Sequence, residues 1–388
     1  MKLNKINKHI LVFTSGGRVV TRKTPNGGIF MLNQAKLLSK HFQKVSFLST
    51  GHIEFSDFFK RDYYPKIEKI DDLIIWRSYN KHWFPRRYLS YKYQKHIYTK
   101  QAISQFKKYI TKHGKPDIIH AHNIVFSGIV AQKIQNIYKI PFVVTEHSSA
   151  FYMNVYSKSF LKKITRDIKD CDLISTVSPS NSEVLKKFFL KKTFILTNMV
   201  EDFFTFRNIN LNSRFQFICV ANLIPMKNVI SVIEAFNIVS KTYDVGLTLV
   251  GKGPLRNEIN DLILKLDIQS EVELIEYLPP KELSKKLSTS NCLILNSDYE
   301  TFGVAVIEGL ACGLPVIVSD KVGSNFFINS SNGLVIQNRN TNQLIDSMKS
   351  IIMNYNNYDR KKISEESKNR FGKQAFMKNL LKLYEFKW

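Results

Sequence analysis

The sequence has few of the features that mark secreted, disulfide-stabilised or zinc-binding proteins. Its 388 residues include four cysteines, which lie far apart without C-x-x-C spacing or nearby histidine clusters. We therefore read them as small buried hydrophobic side chains. The apolar run nearest the N-terminus, residues 10–13, is too short for a secretory signal core or a membrane span. These absences favour a cytoplasmic protein.

Short signatures of several other protein classes are also missing. The sequence has no G-x-G-x-x-G fingerprint, and its basic residues form no RNP, KH or helix-turn-helix signature. Glu146, His147 and Ser148 could belong to a Ser-His-acid hydrolase, but no G-x-S-x-G nucleophile elbow surrounds Ser148. His120, His122 and His147 lack zinc-ligand spacing within one loop, although they could converge in space. We therefore expect no metal site and no nucleic-acid partner.

Acidic residues are scarce in the first half of the chain. The formal net charge is +25, and residues 1–200 contain 35 Lys and Arg against 12 Asp and Glu, whereas residues 201–388 contain 22 against 20. A strongly basic half is attracted to anionic lipid, a phosphorylated acceptor or nucleic acid. Its densest aromatic and basic stretch, residues 79–93, contains no acid and suits the headgroup layer of a membrane. We expect an anionic membrane surface as a partner, the alternative being a solvated basic loop.

Short apolar runs alternate with longer amphipathic stretches, which predicts repeated βα units, mainly parallel sheets and an α/β fold. The chain is longer than one hydrophobic core usually serves, so two Rossmann-like domains are expected. The polar stretch 207–213, which has little to bury, predicts the boundary between them. The first series of predicted strands is 10–13, 45–48, 73–76, 118–119, 142–144, 173–174 and 194–196. The second series is 217–220, 247–250, 272–275, 292–295, 316–318 and 334–336.

Two carboxylates in the second half, Glu300 and Glu308, are separated by seven residues that include Gly303. An apolar strand precedes them and residues 304–311 read as a helix, so Gly303 falls where free backbone N–H groups could meet a phosphate. Carboxylates repel such an anion, but they bind the hydroxyls of a sugar and a ribose. The segment therefore indicates a nucleotide-sugar site, the alternative being two solvated acids.

Polar loops of the first half also follow predicted strands. Gly27 and Gly28 precede a predicted helix that continues through Lys40, and adjacent glycines let backbone N–H groups approach a ligand. In the next such element, P-D-I-I-H-A-H, alternation places His120 and His122 on the same side of the strand. One or both histidines could therefore reach a ligand.

In their order along the chain these motifs resemble those of the retaining glycosyltransferases of family 4, which have the GT-B fold. The E-x7-E spacing of Glu300 and Glu308 matches the family signature, and the resemblance extends over nearly the whole chain. It includes the elements D-I-I-H-A-H, T-E-H-S-S, G-K-G-P and G-L-P-V-I, whereas the expected G-G-x-x-E is degraded to residues 323–327. Lys227 matches a lysine that grips the donor diphosphate, but Asn222 stands where the family has an arginine. Arg18 or another cation of the first domain would have to replace it, unless Lys227 and the helix suffice.

The resemblance also implies two Rossmann-like domains facing a shared cleft. The first domain, 1–206, would bind the acceptor, and the second, 207–373, the nucleotide sugar. The final helix, 374–388, would cross back to the first domain.

The resemblance further implies a role for each motif. Glu300 would hold the transferred sugar, Glu308 the ribose, and Lys227 the departing diphosphate. His122, with His120 as the alternative, would face the reacting sugar. The other residues assigned to the donor are Thr301, Phe302, Gly303, Asn222, Gly251, Gly253 and Gly28. Those assigned to the acceptor are Gly27, Glu146, His147 and Ser148.

The sequence thus predicts a retaining glycosyltransferase that needs no metal and is associated with the inner face of a membrane. It would move a hexose or aminohexose from a UDP-sugar, or less favourably a GDP-sugar, to a lipid-linked or saccharide acceptor in cell-surface polysaccharide synthesis. Two alternatives stay open: a catalytically inactive basic binding or scaffold protein, and a sugar-nucleotide epimerase on the same architecture.

Overall fold

The computed structural model describes residues 5–15, 28–54, 65–82, 91–153, 155–171, 173–189, 191–209 and 214–386. These residues form two compact units. The first unit contains the residues up to Val177, Ser182–Leu196 and the residues from Met377 onward. The second unit contains Ser178–Asn181 and Thr197–Phe376.

The main change of unit, at Leu196 and Thr197, comes earlier in the chain than the boundary that the polar stretch predicts. Val200 N–H donates to Phe371 O at 2.8 Å, and Phe206 N–H donates to Ser364 Oγ at 3.2 Å. These hydrogen bonds tie residues 197–206 to distant parts of the second unit. A polar stretch shows where little is buried, but it does not reveal such pairings.

The first unit contains an eight-stranded sheet among its described residues. Its strands are β1 (Ile6–Ser15), β2 (Phe42–Glu54), β3 (Ile67–Ile70), β4 (Leu73–His82), β5 (Ile118–His122), β6 (Phe142–Glu146), β7 (Leu173–Thr176) and β8 (Lys192–Ile195). Their order in the sheet is β3-β4-β2-β1-β5-β6-β7-β8, and only β3 pairs antiparallel, with β4, among these described strands. The helices α1 to α5 are Ile29–His41, Tyr91–His113, Ile129–Tyr138, Lys158–Asp167 and Pro179–Lys186.

The core of the first unit lies on β1 and its neighbours. Residues 10–13 of β1 are all buried, which is typical of a parallel strand covered on both faces. Leu11 and Phe13 pack in one cluster with Tyr98 and Phe106 of α2. The sequence missed β3 because two charged residues separate its two isoleucines and none of its four residues is buried.

The second unit contains a six-stranded sheet whose pairs are all parallel among the described residues. Its strands are β9 (Phe215–Val220), β10 (Val245–Val250), β11 (Val272–Ile275), β12 (Cys292–Leu295), β13 (Val316–Ser319) and β14 (Gly333–Ile336), in the order β11-β10-β9-β12-β13-β14. Its helices α6 to α11 are Val229–Ser240, Arg256–Lys265, Pro280–Ser288, Val304–Ala311, Thr341–Met353 and Arg360–Phe371. The last helix is α12 (Lys373–Glu385), whose residues from Met377 onward belong to the first unit.

The strand order of the second unit reverses at β9, which lies between β10 and β12. Ligands of open parallel sheets bind outside the carboxyl ends of the strands at such a switch point. The loops after β9 and β12 are therefore where a ligand is expected. The α/β fold with two Rossmann-like sheets is confirmed.

Within the described ranges, no helix combines the length and the apolar character that crossing a bilayer requires.

Candidate functional site

The loop after β12 carries Glu300 and is held by a neighbouring segment of the second unit. Glu300 N–H donates to Lys321 O at 3.1 Å, and Gly323 N–H donates to Glu300 O at 2.9 Å. Phe302 is buried, with its ring centroid 5.7 Å from that of Phe371. These contacts hold the backbone from which the side chain of Glu300 projects.

Gly303 joins this loop to α9 and has a backbone conformation that favours glycine, with φ 86°. A Cβ atom at this position would lie 2.8 Å from Cγ1 of Val322, so a side chain would also clash. The helix begins at the next residue, Val304. Its first N–H groups have no partner within the helix, and they lie at the positive end of the helix dipole. This end of α9 therefore suits an anion such as a phosphate.

Lys227 lies in a short 3₁₀ turn, Pro225–Lys227, between β9 and α6. Its ammonium group forms an ion pair with the carboxylate of Glu300, and the two side chains are 9% and 26% exposed. Because β9 and β12 are neighbours in the sheet, the loops that follow them meet at one edge. The structure thus brings into contact the cation and the acid that the sequence assigned to the donor.

Glu308 lies on the second turn of α9 and is half-buried. Burial, reinforced by the negative charge of Glu201, raises the pKa of Glu308 to about 8. The ammonium group of Lys373 forms an ion pair with Glu201 at 2.9 Å, so it does not pair with Glu308. At neutral pH the Glu308 carboxyl group is therefore mostly protonated, and it can both donate and accept hydrogen bonds.

Gly251 and Gly253 bring the turn after β10 against the loop after β9. A Cβ on Gly251 would lie 1.8 Å from Ala221 O, and one on Gly253 would lie 2.2 Å from Leu223 O. Leu223 N–H also donates to Lys252 O at 3.0 Å. Only glycine allows this close backbone approach, which supports the loop that carries Lys227.

Asn222 is exposed on the same loop. Its side chain is neutral, so Lys227 is the cation that this loop contributes. Arg18, the predicted substitute for the missing arginine, lies outside the described residues.

Three histidines of the first unit, His120, His122 and His147, form a histidine stack at the ends of β5 and β6. The rings of His120 and His122 are 4.6 Å apart at 17°, and those of His122 and His147 are 5.1 Å apart at 22°. Burial lowers the pKa of His120 and of His147 to about 3 and that of His122 well below its ordinary value. All three rings are therefore neutral at physiological pH.

The proton positions on His120 follow from its neighbours. Ser175 Oγ donates to Val144 O at 3.1 Å, so the hydroxyl of Thr145 donates to Ser175 Oγ. Nε2 of His120 therefore carries the proton and donates to Thr145 Oγ1 at 2.6 Å. Nδ1 of His120 accepts a hydrogen bond from the hydroxyl of Tyr384 at 3.0 Å. Both ring nitrogens of His120 are thus used inside the first unit.

His122 is left as the member of the histidine stack that is better suited to contact a ligand. Its Nδ1 lies 2.9 Å from Nε2 of His147, whose Nδ1 is buried and has no partner among the described residues. An unpaired buried acceptor is tolerated better than an unpaired N–H group. We therefore assign the proton of His147 to Nε2, from which it is donated to His122. The proton of His122 is then on Nε2.

Glu146 is fully buried and joins the loops after β5 and β6. Its carboxylate accepts Ile124 N–H at 2.7 Å, Ser148 N–H at 2.7 Å and His147 N–H at 3.0 Å. Burial raises the pKa of Glu146 to about 7, although the three N–H groups oppose the shift. In the structure this carboxylate positions the backbone next to the histidine stack, and its contact with an acceptor stays a prediction.

Gly28 caps α1 with φ 75°. Two residues later, Phe30 lies 4.8 Å from the ring of His147, so this helix start is near the histidine stack. Gly27 and residues 83–90 of the predicted membrane stretch lie outside the described residues. Sequence reasoning missed Tyr384, because a tyrosine in an amphipathic helix carries no signal beyond packing.

Within the ranges that the structure describes, no group of three or more His, Cys, Asp and Glu side chains could hold a metal ion. That the reaction needs no metal stays a prediction.

Two family models match the chain. The model described as Glycosyltransferase Family 4 matches residues 63–201, and the model described as Glycosyl transferases group 1 matches residues 201–370. An uncharacterized glycosyltransferase of Methanocaldococcus jannaschii is 26% identical over 66% of this chain and 71% of its own length. The N-acetyl-alpha-D-glucosaminyl L-malate synthase of Bacillus anthracis is 25% identical over 52% of this chain, which spans 56% of that relative.

Solved structures share the fold over nearly the whole chain. Sucrose-phosphate synthase from Thermosynechococcus elongatus has a TM-score of 0.78 at 19% identity and covers 97% of this chain and 98% of its own. Anabaena HepE in complex with UDP has a TM-score of 0.73 at 13% identity and covers 97% and 99%. Because the two glycosyltransferase family models together match residues 63–370, the chain belongs to the family 4 glycosyltransferases, with the GT-B fold.

Proposed function

We propose that this glycosyltransferase moves a hexose or aminohexose, with retention of configuration, from a nucleoside-diphosphate sugar to a lipid-linked or saccharide acceptor. The role would be cell-surface polysaccharide synthesis, and a UDP-sugar is favoured over a GDP-sugar. The observation that carries the proposal is the ion pair of Lys227 and Glu300 beside the start of α9 at Gly303. A cation and free N–H groups suit a diphosphate, and a carboxylate beside them suits sugar hydroxyls.

Lys227 and the N-terminus of α9 would stabilise the departing diphosphate. Negative charge grows on the diphosphate as the glycosidic bond breaks, and a preorganised cation lowers the energy of that state. Lys227 is 9% exposed, so water screens its charge little. A diphosphate bound here would compete with Glu300 for the ammonium group, and Glu300 would then turn to the hydroxyls of the transferred sugar. We propose that this arrangement requires no metal ion.

Glu308 is proposed to hold the ribose of the nucleotide. Its raised pKa supports this role, because a protonated carboxyl group can donate to one ribose hydroxyl and accept from the other. Burial of the group also means that an unpaired charge would be costly, whereas a hydrogen-bonded neutral acid is not. Thr301, Phe302, Gly251 and Gly253 would support the donor loops around it.

His122 is proposed to contact the reacting sugar through its Nε2–H group, and His120 to act as a positioning residue beneath it. Supporting this division, both ring nitrogens of His120 are already hydrogen-bonded within the first unit. We assign no covalent nucleophile, because retention can proceed by attack on the same face within a short-lived ion pair. His147, Ser148, Glu146 and Gly27 are proposed to serve the acceptor, directly or by placing its loop.

The donor and the location rest on supporting arguments of different kinds. One relative is named as an N-acetylglucosaminyltransferase and a neighbour in fold was solved with UDP, which favours an aminohexose and a uridine nucleotide. The basic first half of the chain favours a position at the inner, anionic face of a membrane, where a lipid-linked acceptor would be found.

The test is release of a nucleoside diphosphate that depends on an added acceptor. A screen of UDP- and GDP-sugars by thermal stabilisation selects the donor, since a ligand at 100 times its Kd adds about 2.7 kcal/mol. An inactive scaffold releases no nucleotide, and an epimerase changes the sugar without releasing nucleotide. Either result would contradict the proposal.

A further inference from the structure

A basic groove of about 1000 Å³ lies along α2, α3 and α4 of the first unit. The lysines that line it come from all three helices and include Lys95, Lys100, Lys107, Lys133 and Lys163. The lining also includes Lys92 and Tyr93, the last residues of the stretch 79–93 that the sequence predicted to meet a membrane.

Most of these lysines lack an acidic partner. Lys95 forms an ion pair with Asp167 of α4. Lys100, Lys107, Lys133 and Lys163 are exposed, and none forms an ion pair with a described residue. Over its 23 residues α2 contains no acid. Like charges held together repel one another, so an anionic ligand in the basic groove relieves this repulsion.

A short apolar turn lies just before α4. It consists of Tyr152, Met153 and Val155, which are 37%, 53% and 64% exposed. Their neighbour Phe151 is 1% exposed and packs 5.6 Å from the ring of Phe189. Phe151 therefore anchors the segment in the core, while the side chains of Tyr152, Met153 and Val155 are exposed to solvent. Three large apolar side chains exposed so close together mark an interaction site more often than an ordinary surface.

Two further exposed apolar side chains lie on the basic groove itself. Tyr93 of α2 and Ile137 of α3 line it and are 50% and 59% exposed. The apolar turn is joined to the groove by α4, which begins at Lys158 and carries Lys163 into the lining. Cations and exposed apolar side chains thus occur together in the groove, and the apolar turn lies just before a helix that lines it.

We propose that the basic groove and the apolar turn form a single docking surface for a bilayer that contains anionic phospholipid. Lysines attract the lipid phosphates, and the tyrosines, Met153 and Val155 enter the interfacial layer. A soluble polyanion would use the same lysines but would leave the apolar groups in water, which favours the bilayer. The surface deepens the proposed function by naming how the enzyme reaches a lipid-linked acceptor, and in that respect it rests on that function.

The experiment measures partition of the full chain onto phosphatidylcholine vesicles with and without phosphatidylglycerol. A groove variant carries Lys100→Glu, Lys107→Glu and Lys133→Glu. A turn variant carries Met153→Ser and Val155→Ser. A matched control carries the same change of charge on exposed lysines of the second unit, Lys241→Glu, Lys265→Glu and Lys281→Glu.

On vesicles with phosphatidylglycerol the groove variant should lose roughly tenfold or more in partition coefficient, and the control much less. The turn variant should weaken binding in high salt as well as in low salt, because apolar burial is not screened. Wild-type binding by the groove variant, or an equal loss in the control, would overturn the proposal. So would a wild-type chain that binds inorganic polyphosphate through the same lysines and does not bind vesicles.

A second readout separates this surface from the proposed reaction. All three variants should keep the thermal stabilisation that a UDP-sugar provides, since none of the changed residues belongs to the donor site. A variant that loses vesicle binding but is still stabilised by the UDP-sugar would show that the docking surface is separate from the donor site. Vesicle binding without any donor stabilisation in the wild-type chain would instead contradict the proposed function.

Discussion

The hydroxyl of Tyr384, near the end of α12, donates a hydrogen bond to Nδ1 of His120 at 3.0 Å, although the residues are 264 positions apart in the chain. Both side chains are buried, and the rings pack edge to face, with centroids 5.7 Å apart and an interplanar angle of 85°. The bond leaves the proton of His120 on Nε2 and fixes the plane of the ring on which His122 stacks. A residue far away in the sequence thus orients the histidine stack, which includes the histidine proposed to face the sugar.

Replacing Tyr384 by Phe should therefore impair turnover by changing the position of the His120 ring, and not by removing a contact with the substrate. The buried Nδ1 of His120 loses its donor, which should lower the free energy of unfolding by about 1–2 kcal/mol. The ring of His120 can then turn, so we expect kcat to fall roughly tenfold while the donor KM changes less than about twofold. Steady-state kinetics and denaturant unfolding of one preparation measure both effects.

The matched control is Tyr109→Phe, which removes a hydroxyl that lies against Nε2 of His9 in the same unit. It should lose similar stability and keep the wild-type kcat, because His9 is not part of the histidine stack. If Tyr384→Phe changes stability only, Tyr384 has a structural role and our assignment is wrong.

Gly303→Ala should weaken both the fold and donor binding. Alanine would need a left-handed conformation and would place its Cβ 2.8 Å from Cγ1 of Val322. Gly114→Ala is the matched control, because Gly114 has φ 78° and a Cβ there meets nothing within 4 Å. The control should lose about 1 kcal/mol of stability, and Gly303→Ala about 2–4 kcal/mol.

Thermal unfolding with and without the UDP-sugar measures the two effects separately. Stabilisation by the ligand should persist in Gly114→Ala and be reduced in Gly303→Ala. Equal stabilisation in the two variants would mean that the start of α9 does not meet the donor.

The ion pair of Lys227 and Glu300 can be tested by a double-mutant cycle. Lys227→Gln should lower kcat by a factor of about 10²–10³, because a buried cation that opposes leaving-group charge is lost. Adding Glu300→Gln should cost less than the two separate losses combined, since the side chains act on one another. Lys286→Gln, which breaks a surface pair with Glu273, is the control and should change kcat little. Strict additivity of the two substitutions would show that the pair is not coupled in the reaction.

The pH dependence of stability follows from the shifted groups of both units. His9, His120 and His147 have lowered pKa values of about 4, 3 and 3, so the unfolded chain binds more protons than the folded one between those values and 6.5. This contribution increases stability as the pH rises toward 6.5.

Two acids act in the opposite direction. The pKa values of Glu146 and Glu308 are raised to about 7 and about 8, so the folded chain holds protons that the unfolded chain releases above 4.5. The free energy of unfolding should therefore be greatest near pH 6.5 and then decline to pH 8, by at most about 1.4 kcal/mol per pH unit for each acid. Urea unfolding at intervals of pH measures the curve.

Glu308→Gln should reduce the decline between pH 7 and pH 8, because Glu308, with the higher pKa of the two acids, contributes most of it in that window. The same variant should raise the donor KM or abolish turnover if Glu308 holds the ribose. An unchanged slope above pH 7 would show that Glu308 is ionised in the folded enzyme.

Much of the fold could be predicted because strands of parallel sheets are continuous apolar runs. Each of the six strands of the second unit was predicted within one or two residues, since β10 and β12 are buried along their whole length. The exposed strand β3 has no such run and was missed. The boundary between the units was predicted too late, because hydrogen bonds from Val200 and Phe206 to helix α11 leave no local pattern.

The sequence directly predicted several site residues, because each lies next to a recognisable strand end or helix start: Glu300, Glu308, Lys227 and the glycines at 251, 253 and 303. The contacts of these residues could not be predicted. Three features depend on segments that come together from distant parts of the chain. They are the ion pair of Lys227 and Glu300, the hydrogen bond from Tyr384 to His120, and the groove shared by lysines of three helices. Local patterns report the conformation of a segment, because backbone preference and apolar periodicity act over a few residues. The packing of the helices on the sheet determines which side chains meet. It therefore also determines which side chains are neutral, which are buried and which can bind a ligand.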